Sequence, residues 1–243
     1  MRIVLVSDIH SNAVALQAVR AALPIYHELW CLGDTIGYGP EPNECVDQVR
    51  ALAKHVLTGN HDLASLGLVS LVDFNALARA ANLWNNEQLK PEQRAFMQDL
   101  PAHLPLPPQV TLAHASPRDP IWEYILDPET ARMNLRYFDT PICFVGHTHV
   151  PMVFALHGDG SIEFRRGAPG EIVQLKPESR YIINPGSVGQ PRDGDPRAAY
   201  AVWDTEAQIV RFNRVEYDIV ATQRKMQAAG LPELLAERLS FGR

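Results

Sequence analysis

Cysteine is scarce. The 243 residues hold three, and Cys31, Cys45 and Cys143 form neither a metal-binding pair nor a disulfide-like array. That spacing argues against a disulfide-stapled fold and a cysteine-type structural zinc site, and it points to a reducing, cytoplasmic setting. Cys31 and Cys143 sit inside apolar runs and read as small core residues. Positive charge is also short, with 22 basic residues against 28 acidic ones and a formal net charge of −6. A nucleic-acid or membrane-surface binder needs a clustered positive field, so neither a stable nucleic-acid partner nor a membrane association is expected. Long apolar runs are missing as well. The N-terminal RIVLVSDIH is too short to span a bilayer and lacks a signal-peptide cleavage pattern. No internal repeat, low-complexity tract or convincing linker divides the chain, so one domain over residues 1–243 is expected.

What is present is an alternation of strands and helices. RIVLVSD (2–8) is a continuous β-branched run that fits a strand buried on both faces. NAVALQAVRAAL (12–23) has helical periodicity, with Asn12 as N-cap and Pro24 as stop. HELWCLGD (27–34), PNECVDQVRAL (42–52) and KHVLTGN (54–60) continue as strand, helix and strand, a βαβαβ order that predicts parallel pairing. Residues 62–108 read as a helical insertion over the cleft or at an oligomer contact, ending in the extended Pro-rich connector PAHLPLPP. QVTLAHAS (109–116) and PICFVGH (141–147) are strands around a helix at 127–138. Beyond residue 150 an antiparallel series is expected, opening with a hairpin at Gly158-Asp159-Gly160 and closing with two helices. The fold class is therefore α/β with mixed sheet.

Five apolar runs end in metal-type ligands. VLVSDIH carries Asp8 and His10, LWCLGD carries Asp34, VLTGNHD carries Asn60 and His61, VTLAHAS carries His114, and CFVGHTH carries His147 and His149. Ligands of open α/β sheets bind at the carboxyl ends of the strands. If these strands lie side by side, all of these residues meet at one rim. Carboxylates, imidazoles and one amide suit a divalent Mn, Fe, Co, Ni or Zn ion. With His61 set aside, the set exceeds what one ion takes and is better shared by two ions bridged by a carboxylate. Two dications beside Asp8 and Asp34 keep excess positive charge, which suits an anionic substrate and phosphoryl transfer.

DIH, GDTIGYG, GNHD and GHTH, in this order, resemble the calcineurin-like metallophosphoesterase superfamily, and NPGSVGQPR (184–192) is similar to its small bacterial phosphodiesterase branch. The resemblance implies a four-layer α-β-β-α sandwich of two mixed sheets with a dinuclear site at the strand C-terminal ends. It implies Asp8, His10 and His149 on one metal, Asn60, His114 and His147 on the other, and Asp34 between them. His61 would face the substrate as the catalytic residue, with a metal-bridging hydroxide attacking phosphorus in line. Alternation along an extended GHTH segment would point His147 and His149 the same way. Asp62 is expected as the cap of the following helix.

Arg118 and Arg192 follow loops near the predicted rim and are candidates for contacting a substrate phosphate. His27, His55, His103 and His157 lie outside the strand-end pattern and are read as structural, as are Trp84 and Phe96. Asn184 to Ser187 reads as a shaped turn beside the site. The leading function is a metal-dependent phosphodiesterase of small organic phosphates or nucleotides. The alternative is a phosphomonoesterase, either a protein phosphatase or a dinucleoside-polyphosphate hydrolase. A non-catalytic metal-binding scaffold is the third reading, and a homo-oligomer is possible.

Overall fold

The computed structural model describes all residues from Met1 to Arg243. β1 (Arg2–Val6), α1 (Ala13–Ala22), β2 (Glu28–Cys31), α2 (Pro42–Leu52) and β3 (Ala53–Val56) follow the alternation in the sequence. Asn12 caps α1, its side-chain oxygen accepting from the backbone N–H of Ala15. Three helices come next, α3 (Asn60–Leu66), α4 (Ala76–Gln88) and α5 (Pro91–Gln98). The second half holds β4 (His103–Leu106), β5 (Val110–Ala113), α6 (Pro128–Asn134), β6 (Ile142–Phe144), β7 (Met152–Leu156), β8 (Ile162–Arg166), β9 (Ile172–Gln174), β10 (Arg180–Asn184), β11 (Ala198–Asp204) and β12 (Ile209–Val215). α7 (Ile219–Ala228) and α8 (Glu233–Glu237) close the chain.

The strands form two six-stranded sheets, ordered β3-β2-β1-β11-β12-β9 and β4-β5-β6-β10-β7-β8. β1 is central and bears out the two-faced reading of its apolar run. Ile3 and Leu5 enter the core between the sheets with Trp30, Leu112, Phe144, Ile183 and Trp203. Val4 and Val6 face outward under α1 and α2, against Leu16, Val19 and Val49. On the far side, Ala131 of α6 packs with Cys143, Met152, Phe154 and Ile182 over the outer face of the second sheet. The result is the α-β-β-α stack. Truncating a filled position between the sheets, such as Leu5→Ala, would cost about 2–5 kcal/mol.

Two expectations need correction. PAHLPLPP is not merely a connector, because His103–Leu106 pairs antiparallel with β5. Pro105 is tolerated there because β4 is an edge strand, where its missing N–H leaves no ladder bond unmade. Nor is the chain after residue 150 wholly antiparallel. β10 runs parallel to β6 and antiparallel to β7, while β11 crosses to pair with β1 in the other sheet. The β7–β8 hairpin around Gly158–Gly160 is as expected.

The topology sets the site. β1, β2 and β3 are mutually parallel, and so are β5 and β6. Their C-terminal ends bring the loops with Asp8, Asp34 and Asn60 from one sheet and His114 and His147 from the other to one edge.

Candidate metal centre

The loops at that edge are held in backbone conformations that few side-chain-bearing residues adopt. Asp8 (φ 53°), His10 (51°), Asp34 (50°), His147 (65°) and His149 (60°) all lie in the left-handed region. Each such residue costs on the order of 1 kcal/mol or more and persists only where its surroundings fix it. Here the loops hydrogen-bond one another. Asp8 N donates to the Gly33 carbonyl and His10 N to the Asp34 carbonyl, both at 3.0 Å, and Gly146 N donates to the His114 carbonyl at 2.7 Å. The Ser187 hydroxyl donates to the Asp8 carbonyl at 2.7 Å, and Asn184 Nδ2 to the Gly146 carbonyl at 2.6 Å, so the NPGS turn shapes the site. The backbone at Gly33 (φ 100°) leaves no room for a side chain, since a Cβ would stand 2.7 Å from His114 Nδ1.

The backbone strain corrects the reading of GHTH. His147 and His149 share a side through consecutive bends after β6, not through alternation along an extended segment. β6 ends at Phe144, and the left-handed turns aim both rings into the cleft.

Side-chain atoms of Asp8, His10, Asp34 and His149 lie within 4.8 Å of one another, and those of Asp34, His114 and His147 do the same. Asn60 Oδ1 adds to the second group, 3.4 Å from His114 Nε2. Three of the imidazoles are oriented from behind. Nδ1 of His10 donates to the Ile36 carbonyl (3.2 Å), that of His114 to the Leu32 carbonyl (2.9 Å), and that of His149 to the Gln190 carbonyl (2.6 Å). A carbonyl only accepts, so Nδ1 holds the hydrogen and Nε2 presents a lone pair. These lone pairs face other acceptors. His10 Nε2 is 3.1 Å from His149 Nε2 and 3.6 Å from Asp34 Oδ2. His114 Nε2 is 3.5 Å from Asp34 Oδ2, and His149 Nε2 is 3.5 Å from Asp8 Oδ1. Asp34 Oδ2 and His147 Nε2 are buried with no hydrogen-bond partner at all.

Burial pushes the imidazoles of His10, His147 and His149 well below their usual range and keeps them neutral. Burial also raises the Asp8 and Asp34 carboxyls to about 7. Buried Nε2 lone pairs and carboxylate oxygens that converge on one another fit a divalent cation, whose charge would return both carboxyls to the ionised form. The residues present therefore fit divalent metal binding.

His61 stands beside this group. Its backbone N–H donates to Asp34 Oδ1 at 2.9 Å, and its Nδ1 pairs with Asn82 Oδ1 at 3.0 Å. Its ring lies 4.3 Å from that of Tyr38 and 5.0 Å from that of Phe74. Burial drives its imidazole down to about 3. Asp62 caps α3 from within the helix and not, as expected, from in front of it. Its carboxylate reaches back to the Gly59 N–H and across to the Ile36 N–H, both at 2.9 Å, so it also ties the Asp34 loop to α3.

Sequence reasoning missed Asn82 and Asn85. Both are buried on α4, and Asn85 accepts from Ser11 Oγ (2.6 Å) and Gly37 N (3.1 Å). Two asparagines three apart on an otherwise alanine-rich buried face were the available signal. The helical segment thus buttresses the site loops.

The two arginines differ. Arg118 is engaged by Glu123 through Nε and Nη2. Arg192 lies at the cleft. Its Nη2 donates to Gln190 Oε1 at 2.8 Å, its guanidinium sits 5.7 Å from the Tyr38 ring centroid, and its buried Nε has no partner. Its charge acts on Asp8, His10, Asp34, His61, His147 and His149.

Comparison with known proteins agrees with this geometry. Residues 1–208 match the family model of the calcineurin-like phosphoesterase superfamily domain. A metallophosphoesterase crystal structure from Sphaerobacter thermophilus superposes with a TM-score of 0.90 at 47% identity, covering 100% of this chain and 99% of that one. A hypothetical protein from Pyrococcus horikoshii shares the fold, with a TM-score of 0.79 at 19% identity over 100% and 98% of the two chains. An uncharacterised protein of Methanocaldococcus jannaschii is 39% identical over 99% of this chain and 98% of its own length. By sequence over most of its length, by fold and by the residues gathered at the sheet edge, the chain belongs to the calcineurin-like phosphoesterase superfamily.

Proposed function

We propose that the chain is a metal-dependent phosphodiesterase of small organic phosphates, nucleotides among them. Asp8, His10 and His149 would hold one divalent ion, Asn60, His114 and His147 a second, and Asp34 would serve both. The observation that carries this reading is the convergence of buried Nε2 and carboxylate oxygen atoms within 4.8 Å of one another in two groups that share Asp34. Mn, Fe, Ni, Co and Zn all suit such nitrogen and oxygen donors. Ions bound there would supply charge neutralisation at phosphoryl oxygens and acidify water.

The chain's own residues do the rest. With Nδ1 committed to Asn82, His61 has Nε2 left for the substrate. Burial favours its neutral form, and a phosphoryl anion beside it favours the protonated one. Nε2–H can then stabilise the transition state or pass its proton to the leaving oxygen as the old P–O bond breaks and the new one forms. Arg192, with a spare buried N–H, is suited to a non-bridging oxygen of the phosphate.

Arginine supply favours a diester. A monoester dianion is best gripped by several guanidinium groups. Here Leu63 follows GNHD, GDTIGYG carries no arginine, and Arg118 is held by Glu123. The test is a side-by-side assay of aryl phosphodiesters and monoesters with protein loaded with each metal. Faster diester cleavage is expected. The reverse order would favour the phosphomonoesterase, and metal binding without turnover would favour a scaffold. All three cysteines are buried and unpaired, in keeping with the cytoplasm as its compartment. No helix is long and apolar enough to cross a membrane.

A further inference from the structure

The loop after β5 carries IWEYIL (121–126), and its side chains alternate in burial. Ile125 is buried in the outer core with Ala131 and Phe138. Glu123 turns inward too, accepting from Ser116 Oγ and Asn134 Nδ2, each at 2.7 Å, and from Arg118. These two anchors leave Trp122, Tyr124 and Leu126 outward, exposed by 38%, 45% and 53%.

The outward ridge borders the candidate metal centre. The Tyr124 ring lies 4.0 Å from that of His147, tilted by 32°. The Trp122 ring meets Phe74 at 5.5 Å, and Phe74 in turn meets His61 at 5.0 Å. The rings therefore run along the mouth from His147 towards His61. In the proposed reading, a phosphate held at His61 and Arg192 would leave its ester substituent within reach of these rings.

We infer that Trp122 and Tyr124 form a stacking platform for a planar aromatic group, such as a nucleobase, attached to the substrate phosphate. The inference rests on the phosphoesterase reading of the site and narrows its substrate class. Rigid rings with one open face bind planar groups with little loss of side-chain freedom, and they accept any base because every base has a π-face. Glu123 keeps the platform in place by anchoring the backbone between the two rings.

The test is calorimetric titration of the metal-loaded protein with adenosine 5′-monophosphate, ribose 5-phosphate and inorganic phosphate, repeated on Trp122→Leu and Tyr124→Leu. Leucine keeps apolar bulk and removes the π-face, and thermal melting and metal content establish that each variant is folded and loaded. The nucleotide is expected to bind at least about tenfold tighter than the sugar phosphate, with the ratio falling towards one in either variant. Equal affinities in the unmodified protein, or a ratio unchanged in both variants, would overturn the platform while leaving the phosphoesterase reading in place. If none of the three ligands binds the metal-loaded protein, both readings fall together.

Discussion

The Nε2 atoms of His10 and His149 face each other at 3.1 Å, and neither carries a hydrogen, because each ring has given its Nδ1–H to a backbone carbonyl. Two lone pairs at that distance repel unless a positive charge lies near both. Removing such charge has a measurable cost. Loading the protein with Mn or Zn at a hundredfold excess over Kd should raise its unfolding free energy by about 2.7 kcal/mol per site, and chelation should reverse the gain. Thermal melting with and without chelator reads this directly.

pH separates the two forms. In metal-free protein, burial raises the Asp8 and Asp34 carboxyls from 3.8 to about 7. A carboxyl whose folded pKa lies above its unfolded value binds its proton more tightly when folded. Stability is therefore highest below pH 4 for these groups and falls as pH climbs through 7. The buried imidazoles of His10, His61, His147 and His149 give the opposite slope below about pH 6.5, so denaturant titrations between pH 7 and 8 should show this fall in chelated protein and not in metal-loaded protein.

His61→Ala should lower turnover by about a hundredfold or more with metal content unchanged. Asn82→Ala should lower it less, since Asn82 acts by holding the His61 ring. The double variant should then be no slower than His61→Ala alone. Additive losses in this cycle would show that Asn82 does something other than position His61.

Asp34→Asn should abolish both activity and binding of a second metal equivalent, measured as metal per chain. Asp34 offers one oxygen to the His61 N–H and leaves the other without a partner between His10 and His114.

Gly59→Ala should destabilise the fold by about 1–3 kcal/mol. Gly59 has an extended backbone (φ −118°) that any residue adopts, so the cost is one of space. The added Cβ would overlap Asp34 Oδ1 and come within 2.6 Å of His114 Cε1. A denaturant midpoint equal to that of the unmodified protein would contradict this packing.

Arg192→Ala should weaken phosphate binding by about tenfold or more, and Arg118→Met should change it by less than about twofold. Both arginines follow strand-end loops in the sequence. Whether a guanidinium is free depends on Glu123 beside Arg118 and on Tyr38 and Gln190 beside Arg192, which only the fold brings into place. Titration with inorganic phosphate distinguishes the two.

That contrast marks where the sequence is informative. The candidate residues at the strand ends were legible because an apolar run and the polar residue that stops it are adjacent in the chain, as with Val6 and Asp8 or Ala113 and His114. The N-cap at Asn12 is local in the same way. Pairing partners were not legible. β10 lies beside β6 and β11 beside β1 because of crossovers that no short window encodes. Asn82 was hidden for a similar reason, since its role depends on how α4 docks against α3. The left-handed backbone at His147 and His149 was the least visible, because histidine has no intrinsic preference that announces it. It exists only because loops from both sheets hold it.

The central claim is that these side chains surround two cations. Anomalous diffraction from a crystal grown with Mn measures that most directly. The account predicts two peaks about 3.5–4 Å apart with Asp34 between them. A single peak away from Asp34, or no peak in a folded protein soaked with metal, would contradict it.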